Sequence, residues 1–597
     1  MKDKTDYRVA NIEKKEIKLR QQRHEIIVSD SEKIVDMILA SPAPATLIQS
    51  FPDQDLYYLM HKAGPYDFIP ALAMASSEQW EYILDVEVWN NDRLDIEYMT
   101  KIFDILYEAD PHRLLRWSVM EKPGFFEFYL FKNMAVKIRE HDEPPPDDFD
   151  DYNTFDDKFY FRFPGKKEKG RYDQLKHKDN QVKHKDNQEA WELIEKMIKD
   201  VAAMDLSVFH GLLLESVSIL PAEIEEEEFR LKNLRLAEKG FLPPHEAIGI
   251  YQPTRLDSLR ERPDQSLLRQ KKYDPDMPLP PQFFSQFLQE DNLFVRSLEL
   301  LDSRSILTIE SELAALINKV ISADKIKLKA REDLEKAIKK TCDYLNLGLE
   351  IILKGKINPA PAKDALLKYF LEDIFRTGSR AGIKLKTRSV HWFKQSFTNK
   401  NNLPLSFLGE NFLGVIGGLF LERPLYFDNY VSGELYRDFK SLTDINKTAI
   451  VLEKIIAADT IADTIVEKLN IDMTSFKSGL LTYKTLTLTL WAKNRLKLPP
   501  TLEPMDAEIF KDFFKALFQR TEPETDETVQ LNDLIFWISE TTGIPESDLT
   551  KESLEILADL INELEEEYAT LDHENIDPKF IPHFLLTKEK DKTPYGE

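Results

Sequence analysis

Three observations predict an all-α protein, organised as a multi-domain helical array of short stacked helices with a solenoid-like amino-terminal part. Glycine is scarce, 19 in 597 residues against roughly 7% in average proteins, which disfavours sheet folds that rely on it for turns and close backbone approaches. Proline and serine marks recur at Pro42, Pro52, Pro65 and Ser77. Between the marks, apolar residues keep the three-and-four spacing of a helix face.

Each mark suits a helix start: Pro52 with Asp53, Pro65 with Asp67, and Ser76 and Ser77 ahead of Glu78. The faces that follow are Leu56, Leu59 and Met60, then Phe68, Ile69 and Leu72, then Trp80, Ile83 and Leu84. Helices of about two turns do not persist alone in water, because nucleation costs more than so few hydrogen bonds return. They must stack. A looser echo, with Pro111 and Pro123 as marks, extends this array, and residues 1–140 read as one amino-terminal unit.

Residues 141–188 break the pattern. Three prolines and a block of acid in REHDEPPPDDFDDYNTFDD have linker composition, and a basic loop follows in which KHKDNQ occurs twice. Between them Phe159, Phe161 and Phe163 alternate with Tyr160 and Arg162, so a minor hairpin or edge strand is expected near 155–164. Helical spacing resumes over 189–262, where Gly240 stands as a left-handed cap after Lys239 and Pro243 and Pro244 mark the next start. A proline-rich join occupies 263–285. The central helical domain, 286–498, carries a stripe of Ile309, Leu313, Leu316, Ile317 and Val320 and a wider one of Leu366, Leu367, Phe370, Leu371, Ile374 and Phe375. Residues 499–597 form an acidic helical domain that includes Leu554, Leu557, Leu560, Ile561 and Leu564.

The formal net charge is −25. Nucleic acid and anionic lipid need clustered Lys and Arg, so both are excluded as expected partners. From Thr501 onward 25 acidic residues face 8 basic ones, which reads as solvated helix faces. The lone Cys342 rules out an internal disulfide and suits a reducing compartment. The amino end lacks the apolar core of a secretory signal, and the run from Phe412 to Leu421 is about half a membrane span. A cytoplasmic chain without membrane insertion is expected.

The stretches LIQSFPDQDLYYLMHKAG, ASSEQWEYILDVEVWNNDRLD, FRLKNLRLAEKGFLPPHEAIGIYQP and PKFIPHFLL resemble a family of large bacterial helical proteins known only as a domain of unknown function. The likeness runs over nearly the whole chain and assigns no catalytic residue. More loosely, the amino-terminal array is similar to the cytosolic superhelical domain of bacterial magnesium channels, built from LP-x-[DE]-x-x-x-L-L helices. Phe51 to Leu56 approximates one such unit, with Phe51 where leucine is usual. Those domains sense metal through acidic side chains beside a pore; this sequence has no pore helices.

Common enzyme signatures are absent. Neither Gly165-Lys166 nor Gly355-Lys356 has the flanking glycine and hydroxyl residue of a phosphate loop, and no G-x-G-x-x-G or H-E-x-x-H occurs. Asp147, Asp148 and Asp151 spell D-D-x-x-D, and Asn532, Asp533 and Glu540 approach the second magnesium motif of helical prenyl-diphosphate enzymes. The first motif, however, follows Pro144 to Pro146 in linker composition, and Phe536 replaces the hydroxyl ligand of the second. No catalytic residue, metal ligand or cofactor is assigned.

Two candidate sites remain. Glu226 and Glu227 stand one turn before Arg230, a spacing that suits a solvated ion ladder. Should Arg230, Asn233 and Arg235 instead face an inter-domain groove, they could grip a carboxylate or phosphate. Trp80 suits core packing, whereas Trp89, beside a turn in DVEVWNNDRLD, suits a partner-binding anchor. The expected function is a non-enzymatic scaffold or regulatory protein that binds another protein through the concave side of the amino-terminal array. The rival is an enzyme or a small-ligand or metal sensor whose site is assembled from distant helices.

Overall fold

In a computed structural model the described residues are 18–139, 149, 152–163, 186–263, 281–284, 288, 291–302, 305–326, 331–473, 481–518, 526–568, 571 and 577–587. The chain divides into two compact units. The first comprises Met1–Gln252, Asp257–Leu345 and Ile357–Phe375, and the second Pro253–Leu256, Asn346–Lys356 and Arg376–Glu597. Both are helical, as the glycine scarcity predicts.

The first unit begins with α1 (residues 18–28), α2 (Ile34–Leu39), α3 (Pro44–Gln49), α4 (Asp53–Ala63), α5 (Ile69–Leu72) and α6 (Ser77–Glu87). Pro52 is the N-cap residue of α4. Ser76 closes a capping box, its hydroxyl accepting from Gln79 N while the Gln79 side chain accepts from Ser76 N. The Pro65 mark works differently. Gly64, at φ 100°, ends α4, the next residues form turns, and α5 starts only at Ile69. Pro111 and Pro123 open α8 (Pro111–Met120) and α9 (Pro123–Asn133), after α7 (Ile96–Ala109).

Successive helices lean on one another: α6 on α7, α7 on α8, and α8 on α9. Their apolar faces meet in a core that includes Trp80, Phe103, Phe126 and Tyr129, all essentially inaccessible. Trp80 donates its indole N–H to Leu72 O at 3.0 Å and meets Trp117 edge to face, in keeping with the core role expected for it.

Between α6 and α7, a two-residue hairpin pairs β1 (Trp89–Asn90) with β2 (Arg93–Leu94), turning at Asn91 with φ 61°. Further on, β5 (Phe159–Arg162) is the middle strand of a three-stranded sheet with β3 (Ala135–Ile138) and β4 (Asn153–Thr154) beside it. Its alternation is not amphipathic, because Phe159, Tyr160 and Phe161 are all buried. Asp147, Asp148, Asp151 and the first KHKDNQ copy lie outside the described residues.

Helices α10 (Asp186–Met204), α11 (Leu206–Ser218), α12 (Pro221–Glu238) and α13 (Pro244–Ala247) follow. At the end of α12 Gly240 takes φ 89°, and a Cβ there would stand 2.7 Å from the Ala315 Cα. Only glycine meets both demands. After α14 (Leu293–Glu299), α15 (Ser305–Ala323) buries all five residues of its expected stripe. The wider stripe spans two helices, α17 (Pro359–Lys368) and α18 (Leu371–Gln395), which follow α16 (Arg331–Ile352). Tyr369 between them is extended and bridges to Glu261, so strand-like pairing interrupts a pattern that periodicity alone would read through.

In the second unit, α19 (Phe397–Lys400), α20 (Glu410–Phe420), α21 (Leu442–Lys468), α22 (Tyr483–Arg495), α23 (Ala507–Phe518), α24 (Asp526–Thr542) and α25 (Lys551–Tyr568) surround a second core. A hairpin of β6 (Tyr426–Phe427) and β7 (Tyr436–Arg437) lies on the glycine face of α20. Parallel β8 (Met505–Asp506) and β9 (Leu586–Thr587) bring the carboxyl-terminal segment back to α23.

Buried carboxylates recur as ties inside each unit. Asp55 accepts from Gln282 N and Phe283 N, both at 2.8 Å, and Asp373 accepts from Arg260 N at 2.8 Å. In the second unit, Asp459 accepts from Phe397 N, Thr398 N and the Thr398 hydroxyl, and Glu350 accepts from Leu442 N. Each carboxylate satisfies backbone donors that would be orphaned at a segment start.

Candidate functional site

Two surfaces of the first unit and one polar cluster of the second stand out. The first surface joins the residues singled out in sequence. Glu225 on α12 accepts from Arg93 Nη1 at 2.6 Å and from Leu94 N at 3.1 Å, which seats the β1–β2 hairpin on the helix. Trp89 thereby packs on Phe229 at 5.5 Å between ring centroids, and the Lys232 ammonium lies 4.8 Å from the Trp89 ring and 5.2 Å from that of Phe229. The Trp89 indole N–H is buried and meets no acceptor among the described residues.

The three α12 residues expected at a groove do not converge. Five residues of helix separate Arg230 from Arg235 by roughly 140° about the axis, so they serve different faces. Arg230 is exposed and pairs with Glu227 at 2.7 Å, the solvated ladder that the spacing suggested. Arg235 lies against α6, giving Nε and Nη2 to Asp85 at 2.7 Å each and Nη1 to Glu81 at 3.2 Å. Asn233 is half-buried.

Around Arg235 the charges alternate. Lys122 pairs with Glu81, burial pushes the Asp85 carboxyl up against the pull of Arg235, and burial likewise raises Glu228. Lys232 stands apart. Among the described residues its Nζ makes no hydrogen bond or ion pair, and desolvation lowers its amine to about 8, with the Asp85 charge opposing. Sequence reasoning passed over Lys232 because its neighbours Trp89 and Asp85 are far away along the chain.

The second surface is the outer face of α11. Asp205 caps the helix through Ser207 N at 2.8 Å, and Phe209, Leu212, Leu213 and Ser216 turn inward against α9 and α10. Along the margin of that packed face Leu206, Leu214 and Val217 are each 47% to 48% exposed, and Leu220 just beyond is 60% exposed. A bend of 104° then leads into α12. Exposed carboxylates stand at Asp205 and Glu215 beside these residues in sequence, and at Glu223 and Glu226 at the start of α12. No single described helix is long and apolar enough to cross a membrane.

In the second unit Glu563, Glu567 and His583 bring one possible ligand atom each within 4.8 Å of one another. His583 Nε2–H donates to Glu563 at 3.0 Å, which leaves Nδ1 facing the Tyr568 hydroxyl at 2.5 Å and Glu567 at 3.5 Å. The set is chemically suited to zinc. A cation there would meet the Lys484 ammonium, which already bonds both Glu563 oxygens. His583, first by its hydrogen bond, and then Lys484 hold the Glu563 carboxyl down to about 2, so the arrangement acts as an ion-paired clasp on the segment PKFIPHFLL. Asp533, from the near-match to a magnesium motif, is occupied by Arg495 and the Trp491 indole N–H.

These features define a multi-helical chain with apolar and cationic niches on one unit and no assembled catalytic constellation among the described residues. The chain belongs to the family of unknown function DUF6178, whose model matches residues 11–587. No curated protein and no solved structure matches it. The looser likeness to magnesium channels gains no support from these comparisons.

Proposed function

We propose that the chain is a non-enzymatic cytoplasmic scaffold or regulatory protein that binds another protein, with the outer face of α11 as its docking surface. The observation that carries this reading is the row of Leu206, Leu214 and Val217 left open to solvent on α11, with Leu220 exposed just beyond its end. The reading puts the contact on α11 because the exposed apolar residues of the earlier helices, such as Leu39, Tyr66 and Met120, stand on separate segments. The flanking carboxylates and the net charge of −25 favour a basic amphipathic helix as the partner element, its apolar side on α11 and its cations on the acidic rim.

A photoreactive amino acid placed at Leu214 in the full chain, expressed in its native cells, is expected to cross-link one protein in stoichiometric yield. Leu214→Glu with Val217→Glu is expected to abolish recovery of that same protein without lowering the melting temperature. A partner retained by the double variant, or a chain recovered alone with a tightly held small molecule, would overturn the proposal.

A further inference from the structure

We propose that Lys232 is a modification site, its Nζ accepting an acyl group from an acyl thioester or acyl phosphate within the aromatic niche of Trp89 and Phe229. Nζ lies 4.8 Å and 5.2 Å from the two ring centroids on a side chain that remains partly open to solvent. It makes no ion pair among the described residues, in a chain of net charge −25. Other lysines are committed: Lys239 to Asp53, Lys484 to Glu563, Lys122 to Glu81. Acylating those would break a salt bridge, whereas acylating Lys232 removes a partly desolvated charge that makes no ion pair among the described residues, at the cost of its contacts with the two ring faces.

The amine is also reactive. Desolvation by burial brings it to about 8 against the Asp85 charge, so at pH 7.5 roughly a quarter is unprotonated, against about one part in a thousand for an ordinary lysine near 10.4. Part of that advantage is lost because a less basic amine is a weaker nucleophile. The step itself is simple. The Nζ lone pair attacks the carbonyl carbon, the bond to sulfur or phosphate oxygen breaks, the leaving thiolate or phosphate departs with the electron pair, and the surplus nitrogen proton passes to water. The product amide is neutral, which burial favours. Its carbonyl brings a hydrogen-bond acceptor into a niche where the buried Trp89 indole N–H has none among the described residues, and its acyl carbons gain apolar ring surface.

Incubation of the full chain with acetyl coenzyme A, and separately with acetyl phosphate, at pH 7.5 tests this through peptide mass spectrometry. Lys232 is expected to label at least tenfold faster than Lys239 and Lys484 with one donor or both. Trp89→Ala, which readmits water, is expected to bring Lys232 down towards the others, and Trp89→Phe to retain most of the difference. Labelling of Lys232 no faster than Lys239 and Lys484 with either donor in the folded wild type would overturn the inference. So would an advantage that persists undiminished after unfolding in urea, since the niche would then play no part.

Discussion

The Asp85 carboxylate on α6 receives the Nε and Nη2 of Arg235 on α12, each at 2.7 Å, across 150 residues of chain. Asp85 is 5% exposed, so deleting the guanidinium leaves a buried carboxylate whose loss of partner typically costs about 3 kcal/mol or more. Arg235 keeps 26% of its side chain in solvent, which screens the pair and lowers the expected loss for Arg235→Ala to about 2 kcal/mol. Arg230→Ala, five residues earlier and paired in open water with Glu227, is expected to leave stability unchanged. Urea unfolding of both variants checks the contrast, and equal effects would refute it.

Features set by neighbours in sequence were legible before the structure. Ser76 with Gln79 and Gly240 after Lys239 involve groups a few residues apart, and the α15 stripe is a single face of one helix. Features set by distant chain were not. Nothing near Asp55 announces that its carboxylate accepts from Gln282 and Phe283, and nothing near Tyr369 announces a bridge to Glu261 that splits an apolar run into two helices. The candidate site shows both cases. Trp89 stood out beside its turn, but its pairing with Lys232 depends on Glu225 drawing the hairpin onto α12, which no local pattern contains.

Gly414 on α20 is required by packing. A Cβ built there would stand 2.4 Å from the Phe427 ring, and one at Gly418 would stand 2.7 Å from the Leu425 carbonyl oxygen. The β6–β7 hairpin rests directly on the helix backbone, and Tyr436 donates its hydroxyl to Gly414 O at 2.9 Å. Gly414→Ala improves helix propensity by about 1 kcal/mol but forces the hairpin off its seat at about 1 to 3 kcal/mol. The variant is therefore expected to unfold at a lower temperature than wild type, and a calorimetric melting temperature at or above wild type would contradict the close packing.

Asp55 is fully buried with two backbone donors on its carboxylate among the described residues, and burial raises its carboxyl from 3.8 to about 7 against those hydrogen bonds and the Arg23 charge, with the Glu310 charge adding to the rise. The folded chain thus holds this proton more tightly than the unfolded one. The group's contribution is full below about pH 4 and is lost as pH rises towards 7, a change on the order of 3 to 4 kcal/mol. Asp55→Asn cannot titrate. The stability of wild type minus that of the variant is expected to fall as pH rises from 4 to 7, and a flat difference in urea unfolding across that range would show that Asp55 stays ionised throughout.

Glu563 has the opposite sign. Its carboxyl is held at about 2, below its ordinary 4.5, by His583 and Lys484, so the clasp contributes fully above pH 4.5 and is lost as pH falls towards 2. The group is partly exposed, and with screening the contribution is about 1 to 2 kcal/mol. Loss of the clasp has a definite structural consequence. Beyond it, Leu585 N donates to Thr489 Oγ1 at 3.0 Å, Met505 N donates to Leu585 O at 2.8 Å, and β9 pairs with β8. Glu563→Gln is expected to expose residues 577–587 to limited proteolysis at neutral pH, as wild type is expected to do only near pH 3 with an acid-active protease. His583→Ala should open the same segment, since it removes the bonds to both Glu563 and Tyr568. If these variants protect the segment as well as wild type does, the strand pairing holds it without the clasp.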